Sequence, residues 1–468
     1  IKETLTFPVV SKIKSAVASY EFYVRNSAGD VVKTVSGSQK LPGKFIWDGK
    51  GDDGIVCKDG IYSAELSVKS ESGSAAKSVT QQFVLDTAYP KLVASVPYTV
   101  FSADGDSKKD HLPVKISECT EESLWNASVI NSKGEAVRHF AWNGKIETEG
   151  VSGFDWDGTD ESGNIAPDGT YSIVIKSEDV AGNVFKSEIS NIVMDNRSAS
   201  AYVMAELEGI SPNGDGIKDF QKFVIKATLT EGIETWKFSI KDENGNIVRS
   251  WSDADSKNLP AEIVWDGLNA SSSTAEGFMT ASLEILYVKG NEVNYSTSPF
   301  VCTVIPPQLT VSTAPEFFSP DNDGTNDDLF IKLSGKTKSS LTSWSFVIND
   351  AQSNHAFWTT GGTSAITEKI IWDGLSNVLK DSNGFAERVQ SAMDYPFTFT
   401  ASDDLGMSST VKGIISVDVL VIRDGNVLKM AVPSIFFRSD NADFKTSDEV
   451  ANGIKKEKAA NNHRVLKR

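Results

Sequence analysis

Phe45-Ile46-Trp47-Asp48-Gly49 reads as a short strand running into a tight turn, and the chain writes this phrase four times. The other copies are Phe154-Asp155-Trp156-Asp157-Gly158, Ile263-Val264-Trp265-Asp266-Gly267 and Ile370-Ile371-Trp372-Asp373-Gly374. Their tryptophans lie 109, 109 and 107 residues apart. That period is too long for a solenoid and suits one sandwich domain of about 100 residues per copy. Alternation at period two sends the Trp and the residue two before it to one buried face, and Asp-Gly is turn chemistry. Core packing is therefore the reading of these indoles, ahead of an exposed platform for carbohydrate stacking.

The flanks repeat as well. Between 27 and 31 residues before each Trp stands an alternating strand: Tyr20–Val24, Trp125–Val129, Trp236–Ile240 and Trp344–Ile348. Polar turns follow three of them (Asn26–Gly29, Asn131–Gly134, Asp242–Gly245), then a second short strand, which makes a hairpin. Downstream, Asp59-Gly60-Ile61-Tyr62 and Asp168-Gly169-Thr170-Tyr171 open a further hairpin. Glu276-Gly277-Phe278 and Asp394-Tyr395-Pro396 stand in their place in the last two copies. No helical periodicity interrupts the repeats, so the expected class is all-β.

Trp-Asp-Gly followed by Asp-Gly-x-Tyr and a closing strand resembles the Ig-like module of flagellar hook-capping proteins and of many bacterial secreted proteins. The resemblance implies tandem Ig-like β-sandwiches and leaves activity open. The expected modules are residues 1–90, 91–198, 199–306 and 307–418, with 419–468 as a separate segment.

A second motif opens every repeat after the first. The copies are Asp104-Gly105-Asp106-Ser107-Lys108-Lys109-Asp110, Asn213-Gly214-Asp215-Gly216-Ile217-Lys218-Asp219 and Asp321-Asn322-Asp323-Gly324-Thr325-Asn326-Asp327. Oxygen side chains at alternate positions of a curved loop suit a hard cation, so Asp104, Asp106, Asp110, Asn213, Asp215, Asp219, Asp321, Asp323 and Asp327 are candidate calcium ligands. The carbonyls of Lys108, Ile217 and Thr325 would supply the main-chain ligand. The competing reading is an Asx-turn without metal. The loops also resemble Ser-Pro-Asn-Gly-Asp-Gly loops of bacterial surface and secretion-associated modules, which implies calcium as the ion.

After about residue 418 the pattern changes. Val419–Ile422, Leu428–Val432 and Ser434–Phe437 read as strands and 447–468 as a helix with Ser447 at its cap. Ile435–Asp440 with that helix resembles the beginning of an OmpA-like peptidoglycan-associating domain, a short α+β segment. The resemblance stops before that family's ligand-gripping loop, so it implies wall binding only through a completed domain and assigns no peptidoglycan residue here.

Composition bounds the rest. A formal charge of −17 opposes nucleic acid and anionic lipid. Three cysteines, Cys57, Cys119 and Cys302, give no disulfide framework, and no apolar run approaches the ~18 residues of a membrane span. The first residue, Ile1, suggests processing. Four histidines without metal-site spacing, and no Walker loop, GxSxG elbow or dinucleotide fingerprint, argue against an enzyme. The leading expectation is a non-enzymatic spacer of the periplasm or outer membrane in a diderm bacterium. The alternatives are an exported adhesion or ligand-binding protein and a scaffold of a secretion or flagellar apparatus. No protein partner is specified.

Overall fold

The computed structural model describes residues 3–12, 16–144 and 153–432, and among these there is no helix. The sheets form two compact units. The first comprises Ile1–Ala199 with Glu231–Glu234 and Leu286–Glu292; the second comprises Ser200–Thr230, Thr235–Ile285 and Val293–Arg468.

In the first unit, strand Leu5–Pro8 pairs antiparallel with Lys44–Trp47. Opposite them stands a sheet in the order Val31–Gln39, Val17–Asn26, Gly60–Ser70, Ala75–Val79, with Phe83–Leu85 also on Gly60–Ser70. The second repeat follows the same plan. Three strands run in the order Gly153–Trp156, Leu112–Cys119, Leu92–Ser95. Five run Ala136–Trp142, Trp125–Asn131, Gly169–Glu178, Val184–Met194, Val100–Phe101. Its core collects Trp125, Trp156, Tyr171, Ile173 and Ile192 from both sheets.

The fourth repeat, in the second unit, has Gln308–Ala314, Leu329–Lys336 and Lys369–Trp372 as its small sheet. The large one runs Phe317–Phe318, Ser408–Val417, Asp394–Asp403, Leu341–Asn349, Ala356–Gly362. The third repeat has Ala201–Ala205, Gln221–Ala227 and Glu262–Trp265 in its small sheet. An extra pair in the fourth repeat, Leu375–Lys380 with Ala386–Arg388, lies between the Trp phrase and Asp394-Tyr395-Pro396, which stands in place of Asp-Gly-x-Tyr.

The repeated phrase closes the same way each time. All four tryptophans are at 3% exposure or less. Each indole N–H donates to the carbonyl three residues on: Lys50 at 2.8 Å, Thr159 at 3.0 Å, Leu268 at 2.8 Å and Leu375 at 2.9 Å. The Asp of each phrase accepts the amide two residues on. The Gly takes φ of 76°, 75°, 74° and 77°, the left-handed region that a side chain resists. Close approach adds to that: a Cβ on Gly267 would lie 2.4 Å from Pro212 Cγ, and one on Gly374 2.7 Å from Pro320 Cγ. The Ser-Pro that precedes the acidic motif is thereby packed onto the Trp turn.

The third repeat keeps the hairpin chemistry despite its changed letters. Asp59, Asp168 and Glu276 each accept the backbone N–H found 28 residues later, at 2.9, 2.9 and 2.7 Å. Met279 is buried where Tyr62 and Tyr171 stand in the earlier copies.

Leu420–Asp424 pairs with Val427–Ala431 as a hairpin. The strand expected over Ser434–Phe437 and the helix expected from Ser447 to Arg468 lie outside the described residues, so the α+β part of the expectation does too.

Trp265→Ala should cost about 3–5 kcal/mol of unfolding free energy, from the buried ring and the cavity it leaves. Gly267→Ala should destabilise as well, through strain rather than a cavity, and denaturant unfolding followed by Trp fluorescence measures both.

Candidate functional site

The three acidic loops follow the two-residue strands Val100–Phe101, Gly209–Ile210 and Phe317–Phe318. Each base is closed by one bond, from Ser102 N to Lys109 O (3.2 Å), Ser211 N to Lys218 O (2.9 Å) and Ser319 N to Asn326 O (2.9 Å). Inside, the last Asp spends both oxygens on backbone amides. Asp110 accepts from Gly105 and Ser107, Asp219 from Gly214 and Gly216, and Asp327 from Asn322 and Gly324, all at 2.6–2.8 Å. The middle Asp of each loop accepts the amide two residues on, at 2.7 Å: Lys108 for Asp106, Ile217 for Asp215 and Thr325 for Asp323. The first residue does likewise for Asp106 N, Asp215 N and Asp323 N. This is the side-chain-to-backbone pattern of linked Asx-turns.

All nine residues singled out from sequence therefore sit in equivalent places. Carboxylate oxygens of Asp104, Asp106 and Asp110 come within 4.8 Å of one another, as do those of Asp321, Asp323 and Asp327. In the second loop the Asn213 amide donates to Asp215 at 3.0 Å, so a neutral group stands where the others have a third carboxylate. The third loop is also tied to the hairpin after it, through Val421 N to Asp321 Oδ2 at 2.7 Å.

The first loop has a partner that sequence reasoning missed. In the first unit, the Asn291 side-chain amide donates to Asp104 Oδ2 at 2.8 Å and Asp106 Oδ2 at 2.7 Å. Partial burial pushes the Asp104 carboxyl up, and this amide with the Asp106 N–H outweighs it, holding Asp104 below its ordinary value. Beside it lies a charged cluster, also unanticipated. Arg197 grips Asp195 with two bonds of 2.9 and 2.8 Å and reaches Glu231 at 2.8 Å. Lys289, with its side chain 3% exposed, places its ammonium 3.6 Å from the Asp195 carboxylate. It also donates to the carbonyls of Asp195 and Arg197. These residues are 92 and 94 positions from Lys289, and no local sequence signal joins them.

The FlgD Ig-like domain family matches residues 3–72 and 117–180, in the first and second repeats, and supports tandem Ig-like modules. No curated protein matches the chain in sequence. Among solved structures, a tetra-tandem repeat from the extending region of a large adhesion protein aligns at 15% identity and TM-score 0.31. It covers 89% of this chain and 95% of its own. A bacterial ice-binding adhesin aligns at 13% identity and TM-score 0.26, covering 71% and 99%. The fibronectin(III)-like modules of Clostridium thermocellum CbhA align at 13% and 0.25, covering 45% and 95%. Scores this low carry no weight for function.

The charged cluster gives a pH dependence. Hydrogen bonds from Arg197, with the nearby Lys289 charge, lower Asp195 from 3.8 to about 2. A depressed carboxylate contributes stability above its unfolded value, and that contribution is lost as pH falls toward the folded one. Asp195→Asn should therefore cost roughly 1 kcal/mol at neutral pH, allowing for solvent around Arg197. It should also remove part of the acid destabilisation seen by thermal melts between about pH 4 and about pH 2.

Proposed function

We propose that this chain is a non-enzymatic structural protein of a bacterial cell envelope, an exported spacer of four Ig-like modules over residues 1–90, 91–198, 199–306 and 307–418. The observation that carries the reading is the fourfold reuse of one buried closure, Trp N–H to carbonyl beneath a left-handed Gly. Polar groups at the repeated positions are spent on holding backbone, which is the economy of an architectural part. The thiols agree with it: burial pushes Cys302 up to about 12 and raises Cys57, the reverse of an activated nucleophile. The net charge of −17 suits an aqueous compartment, and among the described residues no helix is long and apolar enough to cross a membrane.

The periplasm or the outer membrane's inner face is the proposed location, with residues 419–468 joined to wall association only through a completed OmpA-like domain. Protease added to intact cells should leave the chain whole, and cleavage should follow once the outer membrane is permeabilised. Cleavage on intact cells would replace this reading with an exported adhesin. Purified peptidoglycan should not retain these 468 residues, and saturable retention lost on removing residues 419–468 would overturn that part.

Calcium is the proposed ligand of the acidic loops, held by Asp321, Asp323 and Asp327, by Asn213, Asp215 and Asp219, and by Asp104, Asp106 and Asp110 only where the cation displaces the Asn291 amide. A cation that binds the folded loop better than the unfolded chain must raise the melting temperature. Millimolar calcium should do so, and Asp323→Ala should abolish part of the rise. A melting curve that calcium leaves unmoved would mean that the Asx-turns alone account for the loops.

A further inference from the structure

Two of the acidic loops already hold something, and they hold it in the same way. In the first unit the turn Tyr287-Val288-Lys289-Gly290-Asn291 lies on the loop 104–110. In the second unit the turn Asp403-Asp404-Leu405-Gly406-Met407 lies on the loop 213–219. The sixth loop residue, Lys109 or Lys218, donates its ammonium to the carbonyl of the turn's second residue, Val288 at 2.7 Å and Asp404 at 2.6 Å. The fifth loop residue closes on the turn's glycine: a Cβ on Gly290 would lie 2.6 Å from Lys108 O, and one on Gly406 2.9 Å from Ile217 Cγ2.

The sixth position is also strained. Lys109 and Lys218 have φ of 54° and 52°, a left-handed conformation that a residue with a Cβ resists. Asn326 holds the equivalent place in the third loop at φ 58°, and Asn is the residue that tolerates it. Strain kept at a fixed position points to something gained there. Here the gain is an ammonium aimed at the partner turn.

The turns differ in their third residue. Lys289 enters a polar seat made by the carbonyls of Asp195 and Arg197. Leu405, fully buried, enters an apolar seat with Val301 and Met407, and its side chain comes 3.0 Å from where a Gly209 Cβ would stand.

We propose that each of these acidic loops is a socket for a five-residue hairpin turn with Gly in fourth place. The sixth-position lysine is the common clamp and the turn's third residue is the key that decides which socket accepts it. A cationic key in the apolar socket leaves an unpaired buried charge, so the two turns are not interchangeable. The pairing is a property of these residues and holds wherever the chain works.

Hydrogen exchange of the full chain, read by mass spectrometry, tests this. Lys218→Asn, which copies the third loop, should speed exchange over residues 404–407 by roughly tenfold or more, with strands Glu262–Trp265 and Lys369–Trp372 unchanged. Lys218→Arg should restore protection. Leu405→Lys should expose the same residues, while Leu405→Met should not. Unchanged exchange at 404–407 in Lys218→Asn, or equal exchange in the Arg and Asn variants, would overturn the clamp. Retained protection in Leu405→Lys would overturn the key.

Discussion

Everything in a repeat hangs from one indole N–H. Each of the four repeated tryptophans places its buried donor on the carbonyl that the following turn folds back toward it. That turn needs a left-handed residue two places after the Trp, hence Gly, and a side chain to hold the amide beyond it, hence Asp. Once closed, the turn offers a flat face on which Pro212 or Pro320 rests, and the acidic loop that follows is thereby tied to the core. Loosening the indole would loosen strand, turn and loop together, which is why the phrase survives intact while its surroundings drift.

The drift has a pattern. Glu276 does the work of Asp59 and Asp168 with one more methylene, and Met279 takes the buried place of a Tyr. The fourth repeat instead builds a separate pair of strands, and Tyr395 is buried with the Gln390 N–H donating to its hydroxyl at 2.8 Å. What is constant is the geometric demand for an acceptor over the outgoing strand and a large apolar group beneath it.

How much of this was legible in sequence follows from how local each interaction is. The Trp phrase, its Gly and its Asp lie within four residues of one another, so their repetition and alternation foretold sheets and turns. The acidic loops were legible as oxygen-rich turns for the same reason, and the competition between metal site and Asx-turn was visible from the residue types alone. The partners of the loops were not. Asn291 meets Asp104 across 187 positions and Lys218 meets Asp404 across 186, and neither pair leaves a periodic mark. Only the fold reveals that Lys109 and Lys218 turn their ammonium groups to carbonyls distant in sequence. In the third repeat the changed letters hide a kept acceptor position, which Glu276 supplies.

Val100–Phe101, Gly209–Ile210 and Phe317–Phe318 each run parallel to a strand near the end of the same repeat. The bonds run from Val193 N to Thr99 O, Asp195 N to Phe101 O, Val301 N to Glu208 O, Thr303 N to Ile210 O and Asp418 N to Phe318 O. Strands that lie parallel and lead to opposite ends of a domain slide past each other when those ends are drawn apart, so tension loads their bonds side by side. Among the described residues the first repeat shows no such parallel pair, and its opening strand Leu5–Pro8 is bound antiparallel to Lys44–Trp47. The second, third and fourth repeats share the character of a shear joint.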